Sequence, residues 1–137
     1  NTRYFTDPSI TAAALSMGEN DLLDDAETFG FVFETLVIRD LKAYSQMLDA
    51  DVFHYRDSSG LECDAVLHCK NGKYALIEVK LSQTREEEGA TTLKALKTKI
   101  EKAGSKAPVF LMVITATGFA HKRDDGVFVV PIGCLKY

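Results

Sequence analysis

Leu61-Glu62-Cys63-Asp64-Ala65-Val66-Leu67-His68-Cys69, then Lys70-Asn71-Gly72, then Lys73-Tyr74-Ala75-Leu76-Ile77-Glu78-Val79-Lys80 is the stretch on which the fold turns. Two strand-like runs flank an Asn-Gly pair, the pattern of a β-hairpin. Its register matters because a one-residue slip exchanges the faces of a strand. If Asn71-Gly72 is a two-residue loop, Lys70 opposes Lys73, Asp64 opposes Val79, and each face mixes charges with core residues. If Lys70-Asn71-Gly72 is a three-residue loop with Gly72 in the left-handed bulge position, Cys69 opposes Lys73 and Asp64 opposes Glu78. The second register gathers Cys63, Ala65, Leu67, Ala75, Ile77 and Val79 on one apolar face. The other face carries Glu62, Asp64, Val66, His68, Tyr74, Leu76, Glu78 and Lys80. This cleaner segregation selects the three-residue loop. It also sets three carboxylates and a lysine at the end of the hairpin far from its turn.

Outward from the hairpin, the strongest helical signal runs from Ala26 to Leu48. Phe29, Phe33, Leu36, Val37, Leu41, Tyr44 and Leu48 recur at three- and four-residue spacing. Glu34 sits within that stripe; taken alone, it reads as an edge-of-core residue reaching solvent or pairing with Arg39 or Lys42. Val52–Arg56 is a strand, joined to the hairpin by the turn Asp57-Ser58-Ser59-Gly60. After the hairpin a Lys-rich helix spans about Glu86 to Ala103 and is closed by Gly104. Pro108–Thr115 is a near-continuous apolar run, as expected of a strand covered on both faces. Phe119–Arg123 and Val127–Ile132 form a last hairpin through Asp124-Asp125-Gly126. Residues 1–26 read as a preamble of short helical pieces packed on the core, opened by Asp7-Pro8 and interrupted at Gly18. The whole is one α/β domain, with residues 27–137 forming a central mixed sheet flanked by helices.

The 137 residues are 46% hydrophobic and 26% charged, which suits one globular domain and excludes intrinsic disorder. No apolar run reaches membrane-spanning length, and no signal peptide opens the chain. A cytoplasmic protein with no membrane partner is expected. The absent initiator Met points to a piece of a longer polypeptide. The net charge of −4 is unevenly spread: residues 1–69 carry 4 basic and 13 acidic side chains, residues 70–106 carry 9 and 5. That balance speaks against non-specific coating of nucleic acid, but not against an enzyme gripping phosphates with one basic strip. Cys63, Cys69 and Cys134 form no C-x-x-C pair and suit a reducing compartment. The three histidines are scattered, so a zinc hydrolase is not expected.

Directly opposed carboxylates repel. A solvent-facing sheet edge with Lys80 paired to Glu62 or Glu78 would explain them. Val66, Leu76 and Tyr74 on the same face argue instead that something packs over it. The helix at 26–48 is the natural cover, and would bring Glu34 over the Asp64–Glu78 pair. A partly buried set of Glu34, Asp64, Glu78 and Lys80 is best explained by a bound hard cation, Mg²⁺ or Mn²⁺.

A helix bearing Glu34, a strand bearing Asp64, a turn, and a strand ending in Glu78-Val79-Lys80 resembles the PD-(D/E)xK, or restriction-endonuclease-like, nuclease superfamily. More narrowly, Gly30-Phe31-Val32-Phe33-Glu34, His54-Tyr55-Arg56, Leu61–Val66 and Ile77–Lys80 resemble the C-terminal domain of unknown function of prokaryotic AAA-type ATPases. Arg3-Tyr4-Phe5-Thr6-Asp7-Pro8 resembles the segment that begins that domain. The resemblance implies an N-terminal ATPase module outside this chain, which itself contains no G-x-x-x-x-G-K loop for ATP. It further implies that Asp64, Glu78 and the Val79 carbonyl bind the metal. Lys80 would orient the attacking water, and Glu34 would support the metal or the lysine. The position before Asp64, where the superfamily name has Pro, is Cys63. DNA is the expected substrate. Arg56 is the best phosphate-contact candidate; Lys94, Lys97 and Lys102 on the later helix could add a strip, though a Lys-rich helix is more often a solvated face.

Overall fold

The computed structural model describes residues 26–135, with side chains from Gly30 onward. The expected preamble, apart from its last residue, lies outside the described residues. Helix α1 (Ala26–Met47) leads into β1 (Ala50–Arg56), β2 (Glu62–Cys69) and β3 (Tyr74–Lys80). A 3-10 turn (Gln83–Arg85) opens α2 (Glu86–Lys102); β4 (Phe110–Thr115), β5 (His121–Lys122), β6 (Phe128–Pro131) and a second 3-10 turn (Ile132–Cys134) follow. Within the described residues the predicted elements are present, the strand expected at Phe119–Arg123 being reduced to His121–Lys122.

The six strands form one sheet in the order β1-β2-β3-β4-β6-β5. β1, β2 and β3 run antiparallel, β3, β4 and β6 parallel, and β5 antiparallel to β6, so the sheet is mixed. The parallel step from β3 to β4 needs a crossover, which α2 provides. Ala75-Leu76-Ile77 and Val113-Ile114-Thr115 are buried on the inner strands, the condition that lets a strand read as a continuous apolar run.

The three-residue loop is the one that forms. Cys69 N–H donates to Lys73 O at 2.8 Å, Gly72 N–H donates to Cys69 O at 3.0 Å, and Gly72 has φ +87°. That left-handed backbone is strained for a residue with a Cβ. Ala65↔Ile77, Val66↔Leu76, Leu67↔Ala75 and His68↔Tyr74 follow the expected register. The same bonding recurs at Asp57–Leu61, where Asp57 N–H donates to Leu61 O at 3.0 Å and Gly60 N–H to Asp57 O at 3.1 Å. It recurs again at Arg123–Val127.

Face parity holds along most of the hairpin and fails at its far end. Against β1, Val66 pairs with Phe53 but Cys63 pairs with Tyr55, so Asp64 and Ala65 together oppose the single His54. This is a β-bulge, and it shifts every residue beyond it by one face. Cys63, expected beside Ala65 and Ile77, is instead buried with Leu76, Leu93, Leu96, Val113 and Val129 on the opposite face. Its thiol donates to Ala65 O at 3.2 Å and Ile77 O at 3.4 Å. Burial, reinforced by the Glu78 carboxyl, pushes its pKa up to about 12, so the reactive thiolate does not form at neutral pH. In a native-state titration with a thiol reagent, exposed Cys134 reacts and Cys63 stays silent until denaturant is added. Rapid native labelling of Cys63 in a Cys69→Ser, Cys134→Ser variant would contradict this placement.

The helices also divide differently from the expectation that residues 26–48 cover Val66, Leu76 and Tyr74. Phe33, Val37, Ile38 and Leu41 of α1 pack on Ala65, Ile77 and Ile114, the all-apolar face. Ala90, Leu93 and Leu96 of α2 cover Leu76, Val113 and Val129, with Val66 and Tyr74 at the margin. The physical reason is width of stripe. The broad apolar side of α1 matches a face with no charge, whereas α2 has a narrow stripe flanked by Glu and Lys. The mixed face, charged at one end, therefore receives the helix that brings charges with it. Leu93 is fully buried beneath α2. Leu93→Ala is expected to cost about 2–5 kcal/mol in chemical denaturation, the range for a core leucine whose cavity relaxes only partly.

Candidate functional site

The bulge parts β2 from β3 where the ladder would otherwise continue, and two side chains bridge the gap. Asp64 N–H donates to Glu78 Oε2 at 3.2 Å, and Val79 N–H donates to Asp64 Oδ2 at 2.8 Å. Each carboxylate thus satisfies a backbone donor of the other strand. Glu78 is only 6% exposed, deep for a carboxylate. Burial drives its pKa strongly upward, the adjoining Asp64 carboxylate pushes it further, and the nearby Lys80 ammonium offsets only part.

A cleft of about 290 Å³ opens at this pair, lined by Gly60 and Leu61 of the β1–β2 turn, by Glu62, Asp64, Glu78 and Lys80, and by Thr92 of α2. Glu62 also lies 3.3 Å from His54. The Lys80 ammonium stands 3.5 Å from Glu88 of α2, a different partner from the Glu62 or Glu78 expected for a solvated sheet edge. Glu88 is in turn held by Arg85. Close approach of the helix depends on Gly89: a Cβ there would lie 3.0 Å from Val113 Cγ2 and 3.4 Å from Lys80 Cγ.

Of the residues singled out in the sequence, Asp64, Glu78 and Lys80 come together in this cleft. Val79 joins them through its N–H bond to Asp64. Glu34 is half-buried on α1, whose packed stripe lies on the other face of the sheet, and it does not line the cleft. Arg56 is exposed at the end of β1 and faces Glu62 across the ladder, beside the cleft. Lys94 lies 2.9 Å from Asp125, on the flank of α2 turned toward the β5–β6 turn. Arg123 holds Glu86 at 3.2 Å and also contacts Glu87 on that side. Lys97, one turn beyond Lys94, follows that flank rather than the cleft.

The cleft-side flank carries Glu88, Thr92 and Lys99, which the sequence reading passed over. Lys99 bonds Asp57 Oδ2 at 2.5 Å and Ser59 Oγ at 3.1 Å, tying α2 to the turn that rims the cleft. Lys99 and the Ser59 hydroxyl hold the Asp57 carboxyl well below the usual range. A signal for this flank existed. Gly89 interrupts an otherwise favourable helix, where glycine is costly unless a close approach requires it. Beside it Glu88, Thr92 and Lys99, spaced by four and seven, are the polar residues that face the cleft and its rim.

Among the described residues, no group of three or more His, Cys, Asp or Glu side chains is arranged to hold a metal ion. The cleft nevertheless offers hard oxygen donors and no thiolate, which suits Mg²⁺ or Mn²⁺ over zinc. Its buried, charge-disfavoured Glu78 is a group that a cation would stabilise in ionised form.

Over the described residues, fold and site define an α/β domain with a mixed six-stranded sheet, two covering helices and a carboxylate-lysine cleft. The sequence matches the model of a domain of unknown function, DUF4143, over residues 29–135, and the chain belongs to that family. No curated protein matches it. Among solved structures, a chain from the Thermococcus gammatolerans assembly of McrB AAA+ hexamers with bound McrC is similar at TM-score 0.48 and 12% identity. The similarity covers 74% of this chain and 27% of that one, so this chain spans about a quarter of the other's length. Among the described residues, no helix is long and apolar enough to cross a membrane.

Proposed function

We propose that this domain is a Mg²⁺- or Mn²⁺-dependent phosphodiester hydrolase of the restriction-endonuclease-like, PD-(D/E)xK kind, acting on DNA as the C-terminal partner of an AAA-type ATPase module. The observation that carries the reading is the locking of Asp64 and Glu78 onto each other's strands at a bulge, in one cleft with Lys80. The DNA substrate and the ATPase partner rest on the sequence resemblance. ATP would be used in that module, not here.

In this reading Asp64, Glu78 and the Val79 carbonyl hold the cation. When bound, the cation supplies positive charge for the scissile phosphate and a water of lowered pKa. Lys80 positions the attacking water and stabilises charge developing on the phosphate. Glu34 has at most a supporting role, exerted through α1. Arg56 meets a neighbouring phosphate at the cleft mouth, while Lys94 and Lys97 engage DNA further along, Lys94 after leaving Asp125.

Incubation with linear, single-stranded and branched DNA in Mg²⁺ or Mn²⁺ tests the reading, using both the domain and the intact protein. Cleavage must depend on Glu78 and Lys80; its absence in both preparations would sink the proposal. One observation favours a second reading, a catalytically inactive module that binds DNA or protein, or regulates the ATPase. Lys94 and Lys99 are already paired with Asp125 and Asp57, leaving the basic strip partly committed within the domain. Calorimetric titration separates the two: a protein that takes up neither cation at millimolar concentration is the binding module.

A further inference from the structure

The Lys80 ammonium has two anionic choices, the Asp64–Glu78 pair in the cleft and Glu88 on α2. Its close ion pair is with Glu88, at 3.5 Å. Glu88 is fixed from behind by Arg85, whose Nη2 bonds both carboxylate oxygens at 2.9 and 3.0 Å and whose Nε bonds one at 3.1 Å. A two-pronged grip of this kind constrains direction as well as distance. The helix is set against the lysine stem by Gly89, where a Cβ would press on Val113 and touch Lys80. Arg85 of the 3-10 turn and Glu88 and Gly89 of α2 therefore converge on the placing of one side chain.

We infer that Glu88 is a positioning residue that holds Lys80 off the Asp64–Glu78 pair and so keeps those carboxylates open to a divalent cation. The inference rests on the cation-binding reading of that pair. An ammonium closing on the two carboxylates would stabilise their buried charge and stand where the cation must stand. The lysine stem is flexible enough for either arrangement. Without Glu88 the closed arrangement gains population, and apparent cation affinity falls by the fraction of molecules it occupies.

Glu88→Gln removes the charge at nearly constant size, and Glu88→Asp restores it. Mn²⁺ affinity is read by calorimetry. The hydrogen-bond partner of Lys80 is read without metal, by NMR couplings from its Nζ to carboxyl carbons. Glu88→Gln is expected to weaken Mn²⁺ binding by about five- to tenfold. Its Lys80 coupling should move to Asp64 or Glu78, and Glu88→Asp should recover most of the affinity. A merely structural Glu88 would leave both readouts in place. Equal Mn²⁺ affinity in the wild type and Glu88→Gln overturns the inference. If the wild type binds no Mn²⁺, the cation reading fails separately and the NMR readout decides: a coupling that moves supports the positioning role, one that stays overturns it.

Discussion

Glu78→Gln is expected to raise the melting temperature of the metal-free domain at neutral pH while abolishing its uptake of Mg²⁺ or Mn²⁺. Glu78 is buried against Asp64, and both circumstances raise its folded-state pKa above the ordinary glutamate value. The sign follows from linkage. A carboxyl whose pKa is raised on folding contributes full stability below its unfolded pKa and loses it as pH rises through the folded value. Wild-type stability should therefore decline above about pH 4.3, at up to about 1.4 kcal/mol per pH unit for this one group. Glutamine has no proton to lose, and its amide can still accept from Asp64 N–H. The difference in stability between variant and wild type should thus widen from pH 5 to pH 8. Parallel curves over that range would show that Glu78 carries no such penalty. Added Mn²⁺ should close the gap by stabilising only the wild type, with proton release on binding, since the cation favours the ionised carboxyl.

Asp64→Asn and Lys80→Met should each reduce metal-dependent DNA cleavage by about 10²–10⁴-fold, the range for removing one positioned catalytic group. The substitutions are chosen to spare the fold. Asparagine keeps an oxygen to accept the Val79 N–H bond that closes the gap between β2 and β3. Methionine keeps an unbranched stem over Gly89, where the Lys80 Cγ would lie 3.4 Å from an added Cβ. Losses of this size with unchanged far-UV circular dichroism place both groups at the reacting phosphate. A Lys80→Met variant cleaving within a factor of about three of wild type would remove the lysine from the chemistry.

The turn at Lys70-Asn71-Gly72 was legible because only one register separates Ala65, Leu67, Ala75 and Ile77 from the charged residues. The bulge at Asp64–Ala65 was not. Cys63 and Ala65 are small and apolar, acceptable on either face, so alternation leaves no mark of the slip between them. The assignment of helices to faces was hidden for a related reason. Both helices have an apolar side, and Val66, Leu76 and Tyr74 require cover without specifying which helix supplies it. Asp64, Glu78 and Lys80 could be brought together from the sequence because a hairpin makes near neighbours of residues on adjacent strands. Glu88, Thr92 and Lys99 come from beyond the hairpin, on a helix whose rotation about its axis is settled only by Leu93 and Leu96 entering the core. Nothing in the sequence sets Lys94 apart from the neglected Lys99; tertiary partners divide them, one toward Asp125 and the other toward Asp57.

The Lys99–Asp57 contact bears on how the cleft breathes. Asp64, Glu78 and Lys80 ride on inner strands, whose amides exchange with solvent only through large, infrequent openings. The turn at Asp57–Leu61 and the exposed side of α2 belong to the rim, where small fluctuations suffice. A single exposed ion pair, with Ser59 alongside, straps those two walls together. Contacts of that kind weaken as counter-ions accumulate. Raising ionic strength should therefore speed deuterium uptake at Ser59–Leu61 and leave Ile77–Lys80 almost untouched, giving the cleft a yielding lip around a floor that keeps its shape.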